Sequence, residues 1–144
     1  MAEERRVREE ARQARDRAEK NEKLREAFAA RLEALAPLAW QQGGILIRPC
    51  AAPEELDAEG KTLHHCVATY KDKHASGKTA IFFVRKGSEP DKPWFTLELN
   101  LSDFTVLQNR GKCNCARPKA VEAFEAAWLE HIRPMKKKKG NDAA

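Results

Sequence analysis

Three consecutive strand-like segments carry polar side chains at alternate positions, a pattern that can build a binding or catalytic site. The segments TAIFFVRK, WFTLELNL and FTVLQNRG span residues 79–86, 94–101 and 104–111. Because side chains along a strand alternate between the two faces of a sheet, five polar residues should share one face. They are Arg85, Thr96, Glu98, Gln108 and Arg110. Two guanidinium groups could hold a phosphate, and the carboxylate between them could act as a base or orient another group.

The same alternation also has a simpler interpretation. A solvated sheet face with cross-strand ion pairs would show these residues too, each pair contributing about a few tenths of a kcal/mol. The rings of Phe83 and Trp94 fall on the same face. They favour a binding cleft, since nucleic-acid bases stack on aromatic rings.

The segment LHHCVATY, residues 63–70, places two histidines beside a cysteine. We predict a helix over residues 62–75, capped by Gly77. Its apolar face would be formed by Leu63, Cys66, Val67, Tyr70 and His74. Cys66 is then a buried thiol and His74 a core or boundary histidine with its hydrogen bonds satisfied. His65 points away from that face, towards water or towards a site, and helical geometry alone favours water.

A long charged helix is predicted over residues 3–35, which contain no proline or glycine. Residues 3–26 carry nine basic and eight acidic side chains, so their charges nearly cancel. Between residues 3 and 23, Val7 is the only large apolar residue. The second half of the helix should therefore dock and the first half should project.

The remaining elements complete an α+β fold. We predict a strand at 44–49, a helix at 53–59 that Gly60 ends, and a last helix between Pro118 and Pro134. Short connections favour antiparallel pairing of the strands. The expected architecture is a small antiparallel sheet of three to four strands, covered on one face by helices.

Three regions follow from this reading: the charged helix over 1–40, a core domain over 44–133 and a disordered lysine-rich tail over 134–144. The formal net charge is +5, and the four lysines from Lys136 to Lys139 nearly account for it. An excess of positive charge suggests an acidic partner, most commonly nucleic acid. No apolar run is long enough to span a membrane, and no signal peptide is recognisable, so we expect a cytoplasmic protein with reduced cysteines.

A series of spaced elements runs in order along the chain: His65-Cys66-Val67, Tyr70, Gly77, Arg85, Pro93, Thr96-Leu97-Glu98, Gln108-Asn109-Arg110-Gly111, Asn114 and Trp128. As a whole this order resembles the PcfJ-like protein family, over about residues 54–132. The resemblance implies a setting in conjugative plasmids, integrated elements or phages, and the naming member is associated with a plasmid's DNA-transfer machinery. It draws attention to His65 and to the polar residues of the strands, and it adds Asn114 as a binding residue. The helix over 3–35 lies outside the recognised pattern.

Metal and cofactor sites are not expected. Suitable zinc ligands are Cys66, Cys113 and Cys115 with either His64 or His65, but the Cys-x-Cys spacing is tight and no Cys-x-x-Cys occurs. The chain has no Walker or dinucleotide-binding glycine pattern and no paired acidic motif for two-metal chemistry.

Three classes of function remain open. We expect a nucleic-acid-associated accessory protein of a mobile genetic element, which binds DNA or RNA without catalysis. Its basic polar sheet face would use Arg85, Thr96, Gln108, Arg110 and Asn114. One alternative is a metal-independent, ribonuclease-like nuclease with His65 and Glu98 as catalytic residues beside the two arginines. The other is an inhibitor of a host defence system that binds a host or phage protein.

Overall fold

The computed structural model describes the backbone of residues 2–143 and the side chains of residues 2–136. Five strands form one antiparallel sheet in chain order: β1 (Trp40–Gln42), β2 (Ile45–Pro49), β3 (Ala80–Lys86), β4 (Phe95–Asn100) and β5 (Thr105–Arg110). Within the described backbone, four α-helices accompany them: α1 (Ala2–Leu35), α2 (Pro53–Leu63), α3 (Lys71–Ser76) and α4 (Lys119–Ala143). The α+β class and the long N-terminal helix are confirmed.

The sheet has one strand more than predicted, because the short edge strand β1 was missed. It pairs with β2 through a two-residue turn at Gly43 and Gly44, whose φ angles are 59° and 79°. Such left-handed conformations suit glycine and give the turn that joins adjacent antiparallel strands. The Gly-Gly pair directly before the apolar segment at 45–47 was therefore a hairpin signal.

Helices cover both faces of the sheet, so the prediction of one covered face is wrong. On one face, strand residues that include Phe82 and Leu97 form a core with Trp128 and other residues of α4. On the other, Ile81 and Phe83 pack with buried side chains of α1 and α2. The physical reason is that β3 carries large apolar side chains on both faces, and each set needs a partner layer.

Helix α1 follows the predicted division into a projecting and a docking half. Every residue from Ala2 to Lys23 is exposed, whereas Leu24 is half-buried and Phe28 is fully buried. The projecting half carries ion pairs between residues three or four apart, all of them exposed. Such pairs support a helix weakly, so packing of the second half holds it on the domain.

The prediction for the segment after Pro53 is wrong in its boundaries. Helix α2 continues through Gly60 to Leu63 and ends at His64, which is left-handed with φ 54° and ψ 50°. A 3-10 turn, Val67–Tyr70, and the short α3 follow. The chain folds back so closely that a Cβ on Gly60 would lie 3.0 Å from the His65 carbonyl oxygen. Gly60 thus permits a close approach inside the helix.

This reversal at His64 changes the surroundings of the next residues. Cys66 is exposed, so its prediction as a buried thiol is wrong; the helical wheel on which it rested does not extend across His64. His74 is fully buried, which is the core alternative of its prediction. Its ring Nδ1 accepts a hydrogen bond from the Ile81 amide at 3.0 Å.

Helix α4 begins after Pro118 as predicted but does not end at Pro134, which lies inside it. Proline removes one helical hydrogen bond. Met135, beyond the proline, packs against the apolar core and gives the helix a reason to continue. The disordered tail was predicted over residues 134–144. The structure does not describe the side chains of residues 137–144, so most of this prediction lies outside the described residues. In the described part of the chain, no helix is long and apolar enough to cross a membrane.

Candidate functional site

A pocket of about 220 Å³ lies between the segment after α2 and strands β3 to β5. Six of the seven predicted site residues line it: His65, Thr96, Glu98, Gln108, Arg110 and Asn114. Cys66 and Tyr70, which had been predicted as core residues, lie on its wall. Arg85 is the predicted residue that it does not include.

Strands β4 and β5 bring four of these residues together through their register. Thr96 lies opposite Arg110, and Glu98 lies opposite Gln108. The pairs are two residues apart on one face of the sheet, as strand alternation predicted. A register shift follows directly after Glu98.

Glu98 is a buried carboxylate, and both of its oxygens accept hydrogen bonds. The Thr79 hydroxyl donates to one at 2.7 Å and the Gln108 amide donates to the other at 3.0 Å. The same amide nitrogen also donates to the Tyr70 hydroxyl oxygen at 3.1 Å. Glu98 therefore orients Gln108, which in turn contacts Tyr70. Among the residues whose side chains are described, no acceptor is found for the Tyr70 hydroxyl proton.

His65 faces the pocket rather than water. Its Nε2 lies 3.0 Å from the Thr96 hydroxyl oxygen, although helical geometry had favoured a solvent-facing position. The cause is the left-handed residue His64, which ends α2 and turns the next side chain towards β4. Partial burial lowers the pKa of His65, which favours its neutral form.

Arg85 lies behind the pocket and forms a buried ion pair. Both of its terminal nitrogens donate to the carboxylate of Glu59, and both side chains are almost completely buried. Its guanidinium also lies 4.7 Å from the centre of the Phe83 ring. The expected pair of phosphate-binding arginines is therefore not formed, because Glu59 already occupies one of them.

Glu59 was not recognised in the sequence. It lies three residues after Leu56 and four before Leu63, on the apolar stripe of α2. An acidic residue on a buried stripe needs a partner. That position was the available signal, and the predicted helix end at Gly60 obscured it.

Arg110 is exposed and begins a segment that we call the basic loop, residues 110–119, RGKCNCARPK. The loop contains four cations and no acidic residue. Arg117 pairs with Glu125 at 3.4 Å. Among the residues whose side chains are described, no ion-pair partner is found for the loop's other three cations.

The shape of the basic loop depends on Gly111. A Cβ there would lie 2.8 Å from Cε1 of Phe95 and 3.0 Å from the Cys115 sulfur. The Gly111 amide donates to the Cys115 carbonyl at 3.2 Å and closes the turn. Asn114, left-handed with φ 61°, is thereby placed at the pocket. Within the described residues, no three His, Cys, Asp or Glu side chains gather as a metal ion would require.

Comparison with known proteins places the chain in a family. A family model described as PcfJ-like protein matches residues 6–125, which include most of α1 as well as the pocket. An uncharacterised protein of Listeria innocua serovar 6a is 36% identical over 81 residues, which cover 55% of this chain and 17% of that protein. The matching region is thus a small part of that relative's length. No solved structure matches the chain.

Proposed function

We propose that this chain, which belongs to the PcfJ-like protein family, binds a strand of nucleic acid along the basic loop and holds one phosphate at Arg110. An accessory role in a mobile genetic element, in plasmid transfer or in a phage, is part of the proposal and is based on the family resemblance.

The basic loop carries this proposal. Four cations and no acid within ten residues make a local positive patch, whereas the charges of α1 nearly cancel. Contacts from Arg and Lys to phosphates supply most of the affinity of sequence-independent nucleic-acid binding. Arg110 lines the pocket beside Asn114, whose side-chain amide can donate to phosphate or sugar oxygens. The interface is the loop and the pocket mouth, since helices cover the sheet face expected to bind.

Arg110→Gln should weaken the binding of a single-stranded oligonucleotide and make it less salt-dependent. Loss of one phosphate contact lowers the slope of log K against log salt by about 0.7 for a single strand. Fluorescence anisotropy titrations at several salt concentrations measure both quantities. The thermal midpoint should stay unchanged because Arg110 is exposed.

Lys20→Gln is the matched control, because it removes one exposed positive charge from the projecting half of α1. It should leave the salt dependence of binding as it is. Equal effects from the two variants would show that net charge, rather than the loop, carries the binding.

A metal-independent nuclease is the second candidate, and the placement of His65 favours it. A neutral histidine in a polar pocket can act as a general base at neutral pH. On RNA it would take the proton of the 2′-hydroxyl, which attacks the phosphorus, while Arg110 stabilises the developing charge. The free proton of Tyr70 could then pass to the leaving oxygen. His65 takes the role of base in this candidate because Glu98 is buried and is held by Thr79 and Gln108, where it orients the pocket.

For this candidate, RNA cleavage should persist in EDTA and should fall about 100-fold or more in His65→Gln. His131→Gln changes an exposed histidine of α4 and serves as the control. A gel assay on labelled RNA measures both rates. If the wild-type protein binds RNA but does not cleave it, the nuclease candidate is wrong and only the binding role remains.

A further inference from the structure

A chain of polar groups connects the buried interior with His65. Arg85 donates twice to the Glu59 carboxylate, and the Thr96 hydroxyl donates to the same carboxylate at 2.6 Å. The Thr96 oxygen lies 3.0 Å from Nε2 of His65. Glu59 is 1% exposed and Arg85 is 3% exposed, so water does not compete for their bonds. The chain thus runs from a buried ion pair to a ring that lines the pocket.

The direction of each hydrogen bond in this chain follows from its donors. An arginine side chain always carries its proton, and the carboxylate that pairs with it can only accept. The hydroxyl of Thr96 has one hydrogen, and that hydrogen is used on Glu59. The Thr96 oxygen can therefore meet His65 only as an acceptor, so the hydrogen in that contact belongs to Nε2.

The second ring nitrogen leads to the same conclusion independently. The amide of Val67 donates to Nδ1 of His65 at 3.4 Å, a contact that requires a lone pair on that nitrogen. This donor–acceptor distance is long, so the hydrogen bond is weak. A hydroxyl of a bound molecule that donates to Nδ1 would replace the Val67 amide.

We propose that Glu59, acting through Thr96, holds His65 as the neutral tautomer protonated at Nε2, so that Nδ1 is its proton acceptor. Glu59 and Thr96 are then positioning residues. The use of that acceptor on a substrate rests on the nuclease candidate above. The tautomer itself is a property of the free protein and is independent of binding and cleavage.

The tautomer can be read in the free protein by ¹⁵N NMR of the imidazole nitrogens, at a pH where the ring is neutral. The wild-type protein should show a protonated Nε2 and an unprotonated Nδ1 for His65. Thr96→Val keeps the shape of the side chain but removes the acceptor, and should give a mixture of the two tautomers. Thr96→Ser keeps the hydroxyl and should restore the wild-type spectrum.

A wild-type His65 protonated at Nδ1 would overturn the proposal. So would a Thr96→Val protein whose His65 tautomer matches the wild type. Should the valine variant fail to fold, the wild-type and serine spectra decide the matter. A serine variant that has lost the Nε2–H tautomer would count against it. Failure of the nucleic-acid proposals would appear only in binding and cleavage assays, so the two failures are distinguishable.

Discussion

Arg85→Ala should lower the free energy of unfolding by about 3–5 kcal/mol, the range found when one partner of a buried ion pair is removed. The carboxylate of Glu59 would remain in a site that is 1% exposed, without the guanidinium that compensates its charge. The Thr96 hydroxyl alone would still donate to it. Urea denaturation at neutral pH, monitored by tryptophan fluorescence, measures the change.

Arg110→Ala is the matched control, since it truncates an exposed arginine of the same sheet, on β5. Its effect on stability should stay within about 0.5 kcal/mol, as for most surface substitutions. Equal stability of the two variants would mean that the buried pair contributes nothing. The comparison also distinguishes the roles of the two arginines. Strand alternation had placed both on one polar face as equivalent phosphate ligands.

Strand alternation succeeded for the site because it depends on a short and rigid period. Thr96, Glu98, Gln108 and Arg110 lie on the same face, and cross-strand pairing brings them into one pocket. A period of two allows little drift over six residues. The same rule placed Arg85 on this face correctly. Strand alternation could not predict how deeply Arg85 is buried, because its burial depends on which helices pack against that face of the sheet.

The segment around His65 was the least predictable part of the site. The apolar spacing from Leu63 to His74 matches a continuous helix, but the chain turns at His64 in a left-handed conformation. Histidine tolerates this conformation better than most residues, yet no glycine marks the position. The reversal is favoured because Val67 packs against Ile81 and Phe83 of the sheet. This is a long-range contact, which the local periodicity of the sequence does not reveal.

The covered second face was recoverable from the sequence. Ile81 and Phe83 occupy the same face of β3 as Arg85 and are fully buried against Phe28 and Leu56. Large side chains on both faces of one strand are typical of a sheet between two layers. From the sequence, Arg85 was interpreted as a polar residue on a face open to solvent or to a ligand. With two helical layers, the same residue requires an internal partner, and Glu59 supplies it.

Below about pH 6.5 the protein should lose stability through His74, by about 3 kcal/mol when the pH reaches 4. His74 is completely buried, and burial lowers its pKa from 6.5 to about 4, with a further contribution from the nearby Arg31 cation. Between these two values the unfolded chain binds a proton that the folded chain does not. Stability is therefore fully present above pH 6.5 and declines as the pH falls towards 4.

His74→Gln tests this assignment, because glutamine does not titrate and its amide oxygen can still accept from the Ile81 amide. Urea denaturation of both proteins at pH 7 and pH 4.5 gives two pH dependences, and that of the variant should be distinctly smaller. His65 and the carboxylates titrate in both proteins, so their contributions cancel in the difference. Identical pH dependences would show that His74 accepts its proton in the folded state as readily as in the unfolded chain. In that case the interior around Phe28 would have to accommodate a cation beside Arg31.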